Sequence, residues 1–142
     1  MRKDRFVLDN NIWISYFITK KIHLLIEAID YHELTVFSCD ELIEELKIVL
    51  NYPRLAKYEI NIAGAVRMLR NVTVHHTIIL SIKRYIPADA HDDYLVALAL
   101  QTSSGFITSG DNDILSEKGN LEKKYKKLKI ITKVEFEEMF FQ

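Results

Sequence analysis

Phe6-Val7-Leu8-Asp9-Asn10-Asn11 is the stretch on which the fold turns. A short apolar run ends abruptly in an acid and two amides, and Ile12-Trp13-Ile14 follows at once. An apolar run of this length, bounded by polar residues, reads as a buried strand. A strand buried on both faces belongs to a parallel sheet covered by helices. Asp9 then falls at the carboxyl end of a central strand, where open α/β sheets keep their ligand crevices. A carboxylate there is costly to desolvate unless something positive meets it.

The rest of the chain supplies such a sheet. Asn11 is placed to cap a helix beginning at Ile12, with a pause around Thr19-Lys20-Lys21 before the pattern resumes through Ile22, Leu25, Ile26 and Ile29. Leu34 to Phe37 reads as a second strand. Ser38 with Glu41 three residues on is the signature of a capping box opening a helix from Asp40 to Leu50, which Pro53 ends. Asn61 to Asn71 predicts another helix, and Val72 to Leu80 holds a β-branched run suited to a strand. Pro87-Ala88-Asp89-Ala90 is a loop leading into Asp92 to Leu100, apolar all round and so a buried helix. Gly105 suits its C-terminal cap. Phe106-Ile107-Thr108 is a short strand broken by Ser109-Gly110-Asp111. Lys129 to Thr132 is the last strand and Val134 to Phe141 a closing helix. Alternating strands and helices predict βαβ units and an α/β fold with a mostly parallel central sheet.

The totals agree. The chain has 142 residues, enough for one domain with a real core. Hydrophobic residues make up 49% and charged residues 27%, as in a globular protein. A formal net charge of −1 announces no nucleic-acid or membrane partner through a global field. It does not bear on an enzyme whose acids hold a metal. Cys39 is alone, which excludes an intramolecular disulfide, and no Cys/His zinc pattern is present. The basic start, Met1 to Arg5, precedes only a brief apolar run, so no signal peptide is expected and the cytoplasm is the expected compartment. No apolar stretch approaches membrane-spanning length.

Acids recur at the places the sheet would bring together. On the helix after Ser38, successive residues turn by about 100°, and Leu42, Leu46, Val49 and Leu50 mark the core face. Glu44 points away from it. Glu45 falls roughly 60° from Leu42, at the edge of the apolar face; it either snorkels or pairs with a lysine, or has a task there. Glu41 is explained by the capping box. Asp92 and Asp93 open the buried helix. First-turn acids stabilise a helix by roughly 0.3–1 kcal/mol, which accounts for one of them, while Asp93 lines up with Val96, Ala97 and Leu100. His91 reads as a loop residue. Asp111 and Asp113, in Ser109-Gly110-Asp111-Asn112-Asp113, follow a strand; a simple turn would also use these residue types.

Like charges gathered in one crevice raise each other's pKa unless a cation neutralises them. Carboxylate oxygens suit hard cations such as magnesium. A metal so held activates water and clamps a phosphodiester for in-line attack. The chemistry implied is phosphodiester hydrolysis without a covalent intermediate.

In the order of these segments the chain resembles the PIN-domain nucleases, and within them the toxin components of toxin–antitoxin pairs. The matching parts are Val7 to Asn11, Ser38 through Glu45-Leu46, Asp92 to Ala99, and Ile107 to Asp113. The resemblance implies a Rossmann-like three-layer sandwich over residues 1–142, with an acidic pocket that binds magnesium or manganese and cuts single-stranded RNA. It implies Asp9, Glu45, Asp93 and Asp111 as the catalytic acids, with Asp9, Asp93, Asp111 and Asp113 holding the metal. Asn11, Asp92 and Ser109 take supporting places. Asn10 departs from the pattern, standing where a small hydroxyl residue is common. The acidic run of Glu41, Glu44 and Glu45 makes the second acid a matter of helix facing.

An acidic pocket needs basic surroundings to hold a polyanion. Arg54, Lys57, Arg67, Arg70, Lys83 and Arg84 are available, and Lys123-Lys124-Tyr125-Lys126-Lys127 is the densest run, which a solvated charged loop also explains. Trp13, Tyr16 and Phe17 read first as core and second as an antitoxin or dimer contact. If the resemblance holds, an antitoxin covers the pocket, and homodimerisation is common. Two other readings stand: a phosphate-transfer domain with acids at strand ends, and a non-catalytic RNA- or protein-binding module. A dehalogenase-type nucleophile wants a second Asp where Asn11 stands.

Overall fold

Phe6, Val7 and Leu8 are fully buried, and they belong to β1 (Arg2–Leu8), the middle strand of a five-stranded sheet. The computed structural model describes residues 2–79 and 93–141. After β1 come α1 (Asn10–Ile18), α2 (Ile22–Tyr31), β2 (Thr35–Ser38) and α3 (Asp40–Leu50). A 3-10 helix over Pro53–Tyr58 leads to α4 (Ile62–Val72) and β3 (Val74–His75). The second half holds α5 (Asp93–Gln101), β4 (Ser104–Thr108), α6 (Asn112–Ser116), α7 (Lys118–Lys124), β5 (Lys129–Ile131) and α8 (Lys133–Phe140).

The strand order is β3-β2-β1-β4-β5 and every pairing is parallel, giving an α/β three-layer sandwich. Chain order runs outward from β1 to β2 and β3, then returns to β4 on the other side of β1. The direction of winding therefore reverses between β1 and β4. Open α/β sheets bind ligands at that switch point, outside the carboxyl ends of the strands. Val7 pairs with Ile107 and Leu8 with Thr108, so Asp9 and Ser109 emerge side by side there. The Asp9 amide still donates to the Thr108 carbonyl at 2.9 Å, extending the ladder to the acid itself.

The core explains why β1 is apolar throughout its second half. Phe6 stacks on Phe106 of β4 with ring centroids 4.7 Å apart, and Phe136 and Phe140 of α8 meet it edge-on. Trp13 is fully buried and its indole N–H donates to the Leu8 carbonyl at 3.1 Å, fastening α1 over the end of β1. Tyr16 is fully buried too, and Phe17 partly, so the aromatics after the first acid pack the core.

Several local expectations are corrected. Asp9, not Asn11, caps α1, which begins at Asn10. The α3 bounds agree with expectation, but no capping box forms: Cys39 is the cap residue and the Ser38 hydroxyl is engaged with Thr73 Oγ1 at 2.8 Å. Gly105 lies inside β4; the chain leaves α5 through Ser103, whose φ of 55° is left-handed. The strand predicted over Val72–Leu80 shrinks to Val74–His75 among the described residues. Thr132 forms a true capping box with Glu135 at the start of α8. Leu80, the loop at Pro87–Ala90, His91 and Asp92, with Lys83 and Arg84, fall outside the described residues. No helix among the described residues is long and apolar enough to cross a membrane.

Candidate active site

Asp9 is 3% exposed, and each of its oxygens is held. Oδ1 accepts from the Asn10 backbone N–H at 2.6 Å. Oδ2 accepts from the Ser109 hydroxyl at 2.7 Å and from the Asn11 side-chain amide at 3.3 Å. This follows from topology: the strand-to-helix turn after β1 makes Asp9 a cap, and the neighbouring turn after β4 presents Ser109.

The β4 loop is built to mirror it. Asp111 caps α6, its Oδ1 accepting from the Asp113 N–H at 2.7 Å. The Asp111 N–H donates to the Ser109 hydroxyl at 3.0 Å. Asn11 bridges the two loops, since its Oδ1 accepts from the Gly110 N–H at 3.1 Å. Two carboxylates from different strands thus share one network of neutral donors.

Glu45 arrives from α3, half-buried at the edge of the helix's apolar face as its angular position predicts, whereas Glu44 is exposed and paired with Lys47. The Asn10 side-chain amide donates to Glu45 Oε1 at 2.7 Å. Asp9, Asn10, Asn11, Glu45 and Asp111 together line one cleft of about 340 Å³. Its remaining wall is apolar, from Ile14, Ile18, Val49 and Leu55, with Ser15 and Arg54 alongside.

Electrostatics follow from this gathering. Burial, reinforced by the like charges of Glu45 and Asp111, pushes the Asp9 carboxyl up to about 6. The hydrogen bonds from Ser109 and Asn10 oppose that rise without cancelling it. Cys39 is buried and its thiol is pushed up to about 12, chiefly by that burial, so it supplies no thiolate nucleophile.

The family description for the PIN domain matches residues 5–113, from β1 to the start of α6. The chain belongs to the PIN-domain family. Among solved structures it is similar to VapBC2 from Rickettsia felis bound to a DNA fragment from their promoter, with 11% identity and a TM-score of 0.51 over 90% of this chain and 98% of that one. At that identity the likeness is one of fold. No curated protein matches the chain.

In this PIN domain Asp9, Glu45 and Asp111 share the cleft, and Asn11 and Ser109 hold the loops around it. Asp93 is 3% exposed at the start of α5, a helix packed on β1 and β4, and is not among the cleft-lining residues. Asp113 is half-buried in the first turn of α6, also outside the lining. Arg54 reaches the cleft, lying over the Tyr52 ring, while Lys57 is exposed on the same 3-10 helix and does not line it.

Lys123 and Lys124 end α7, which packs against edge strand β5, and do not line the cleft. Of the Lys123–Lys127 run only Lys123 and Lys124 are helical; Tyr125, Lys126 and Lys127 follow the helix in a turn. The Asn10–Glu45 link was invisible in the sequence. The spacing of Asn10, Ile14 and Ile18 against Glu45 and Val49, each four residues apart, is the signal that could have revealed this wall.

The donor set is all oxygen, which suits a hard divalent cation. Burial of Asp9 among like charges is a cost that such a cation would relieve. Among the described residues no three acid, histidine or cysteine side chains are grouped closely enough to cage an ion. Magnesium does not need a cage, because it keeps several waters and takes one or two protein carboxylates.

Proposed function

We propose that this PIN domain is a metal-dependent endoribonuclease that cuts single-stranded RNA, and that it is the toxin of a toxin–antitoxin pair. The observation that carries the reading is the convergence of Asp9, Glu45 and Asp111 on one cleft beside the β1–β4 switch point. Asp9 and Asp111 would hold magnesium or manganese with Glu45 nearby; Asp93 and Asp113, with Asp92, complete the proposed acidic set. The bound ion would supply an activated water and offset charge on the phosphodiester.

The protein's own part is orientation. Ser109 and Asn11 fix the Asp9 carboxylate and join the two loops, so the acids need not reorganise when substrate arrives. Arg54 at the cleft provides a cation for an RNA phosphate, with Lys57 next in line and Lys123 and Lys124 a distant supplementary surface. The apolar wall of Ile14, Ile18, Val49 and Leu55 suits cover by an antitoxin. Exposed Tyr31, Ile48 and Val134 are available for a homodimer contact. The protein would act as a single domain in the cytoplasm, with no membrane partner.

The test is incubation of the purified chain with single-stranded RNA, double-stranded RNA and single-stranded DNA, in magnesium, in manganese and in chelator. Internal cleavage of single-stranded RNA that stops with chelator supports the reading. Metal binding without cleavage would favour phosphate-transfer chemistry. Neither binding nor cleavage would leave a binding module.

A further inference from the structure

We propose that Asn10 is a positioning residue that holds Glu45 ready for a divalent cation in the cleft, an inference that rests on the nuclease reading. Asn10 is 3% exposed at the first position of α1. Its backbone N–H donates to Asp9 Oδ1 at 2.6 Å and its side-chain amide to Glu45 Oε1 at 2.7 Å. One residue therefore ties together two carboxylates that repel each other. Glu45 has a flexible stem and a half-buried position on α3; without the tie its charge would swing away from Asp9 and toward water.

The choice of an amide is chemically apt. A lysine or arginine at position 10 would grip Glu45 but neutralise it, and would compete with the cation for both acids. A neutral N–H donor orients the carboxylate and leaves its charge for the metal. The amide orientation is fixed by the same contact, because the opposite one would set oxygen against oxygen.

Asn10 Oδ1 is buried and finds no hydrogen-bond donor among the described residues. A buried acceptor left unsatisfied lowers stability. Among the described residues the side chain's hydrogen bond is therefore the one that its N–H makes to Glu45.

The test is calorimetric titration of manganese into the metal-free protein, for wild type, Asn10→Ala, Glu45→Ala, the double variant and Asp9→Asn, with thermal melts of each in chelator. The expected result is a loss of manganese affinity of about 10-fold for Asn10→Ala, with a melting temperature at or above that of wild type. In the Glu45→Ala background the same change should move the affinity less than about twofold, since Asn10 acts through Glu45. Unchanged affinity in Asn10→Ala, or an equal loss in both backgrounds, overturns the inference. If Asp9→Asn binds manganese as wild type does, the metal lies elsewhere and the nuclease reading fails with it. If Asp9→Asn loses the ion but Asn10→Ala does not, only the role of Asn10 fails.

Discussion

The Ser109 hydroxyl donates to Asp9 Oδ2 at 2.7 Å, across 100 residues of chain. The same Ser109 oxygen accepts from the Asp111 backbone at 3.0 Å, so one buried hydroxyl sets the acids that follow β1 and β4. Groups that orient metal ligands typically matter by about 10–100-fold in affinity or activity. Ser109→Ala should therefore lower RNA cleavage by about that factor, falling on kcat and on metal dependence more than on RNA affinity. Cleavage rates across a magnesium titration check it.

Asp9 makes a pH-dependent contribution with an unusual sign. Its carboxyl sits at about 6 in the folded protein against 3.8 as the ordinary value. The folded state thus binds the proton more tightly. The stability this provides is complete below pH 3.8 and is lost as pH rises through about 6. The shift corresponds to about 3 kcal/mol. Asp9→Asn removes the titration, so in chelator its stability relative to wild type should climb between pH 4 and pH 7 by up to roughly that amount. Urea denaturation at a series of pH values reads it, and saturating manganese should shrink the difference at pH 7 by stabilising only wild type.

Arg54 lines the cleft through a 3-10 helix whose Pro53 stands at its start. If its guanidinium meets an RNA phosphate, Arg54→Ala should weaken binding of all single-stranded sequences alike. The slope of log affinity against log salt should become shallower by about 0.7, the share of one phosphate contact. Lys123→Ala with Lys124→Ala, on the α7 edge, should change both quantities less. Fluorescence anisotropy at several salt concentrations, with catalysis blocked by chelator, distinguishes the two.

Ser103 turns the chain from α5 into β4 with φ of 55°, a left-handed conformation that a side chain disfavours by roughly 1–2 kcal/mol. The residue is exposed. Ser103→Gly should raise stability by about 1 kcal/mol, or about 4 °C in Tm, leaving cleavage unchanged.

Residues whose surroundings are local were legible in the sequence. The apolar run Phe6–Leu8 announced a central strand, and the acid after it fell at the switch point because parallel topology puts it there. Glu45 could be separated from Glu44 by angle alone. What failed depended on distant partners. Ser38 looked like a cap, but Thr73, 35 residues on, takes its hydroxyl. Gly105 looked like a helix end, yet Ser103 accepts the left-handed turn and frees the glycine for the strand. α7 escaped notice because Leu121 is its single buried side chain and a Lys118–Glu122 ion pair supports the rest, so no apolar period marks it. The Asn10 bridge joins α1 to α3 across 35 residues; four-residue spacing marks a face on each helix, but not that the two faces meet.

If the acids at the β1–β4 switch point perform metal-dependent cleavage of RNA, removing the metal or one of those acids should abolish it. The most direct measurement compares wild type with Asp9→Asn and Asp93→Asn on a mixed pool of single-stranded RNA in magnesium, each variant first shown to be folded by its thermal melt. Cleavage by wild type should cease with chelator and fall by at least about 100-fold in each variant. Cleavage that persists in folded Asp9→Asn protein, or that survives removal of the metal, would overturn the nuclease reading.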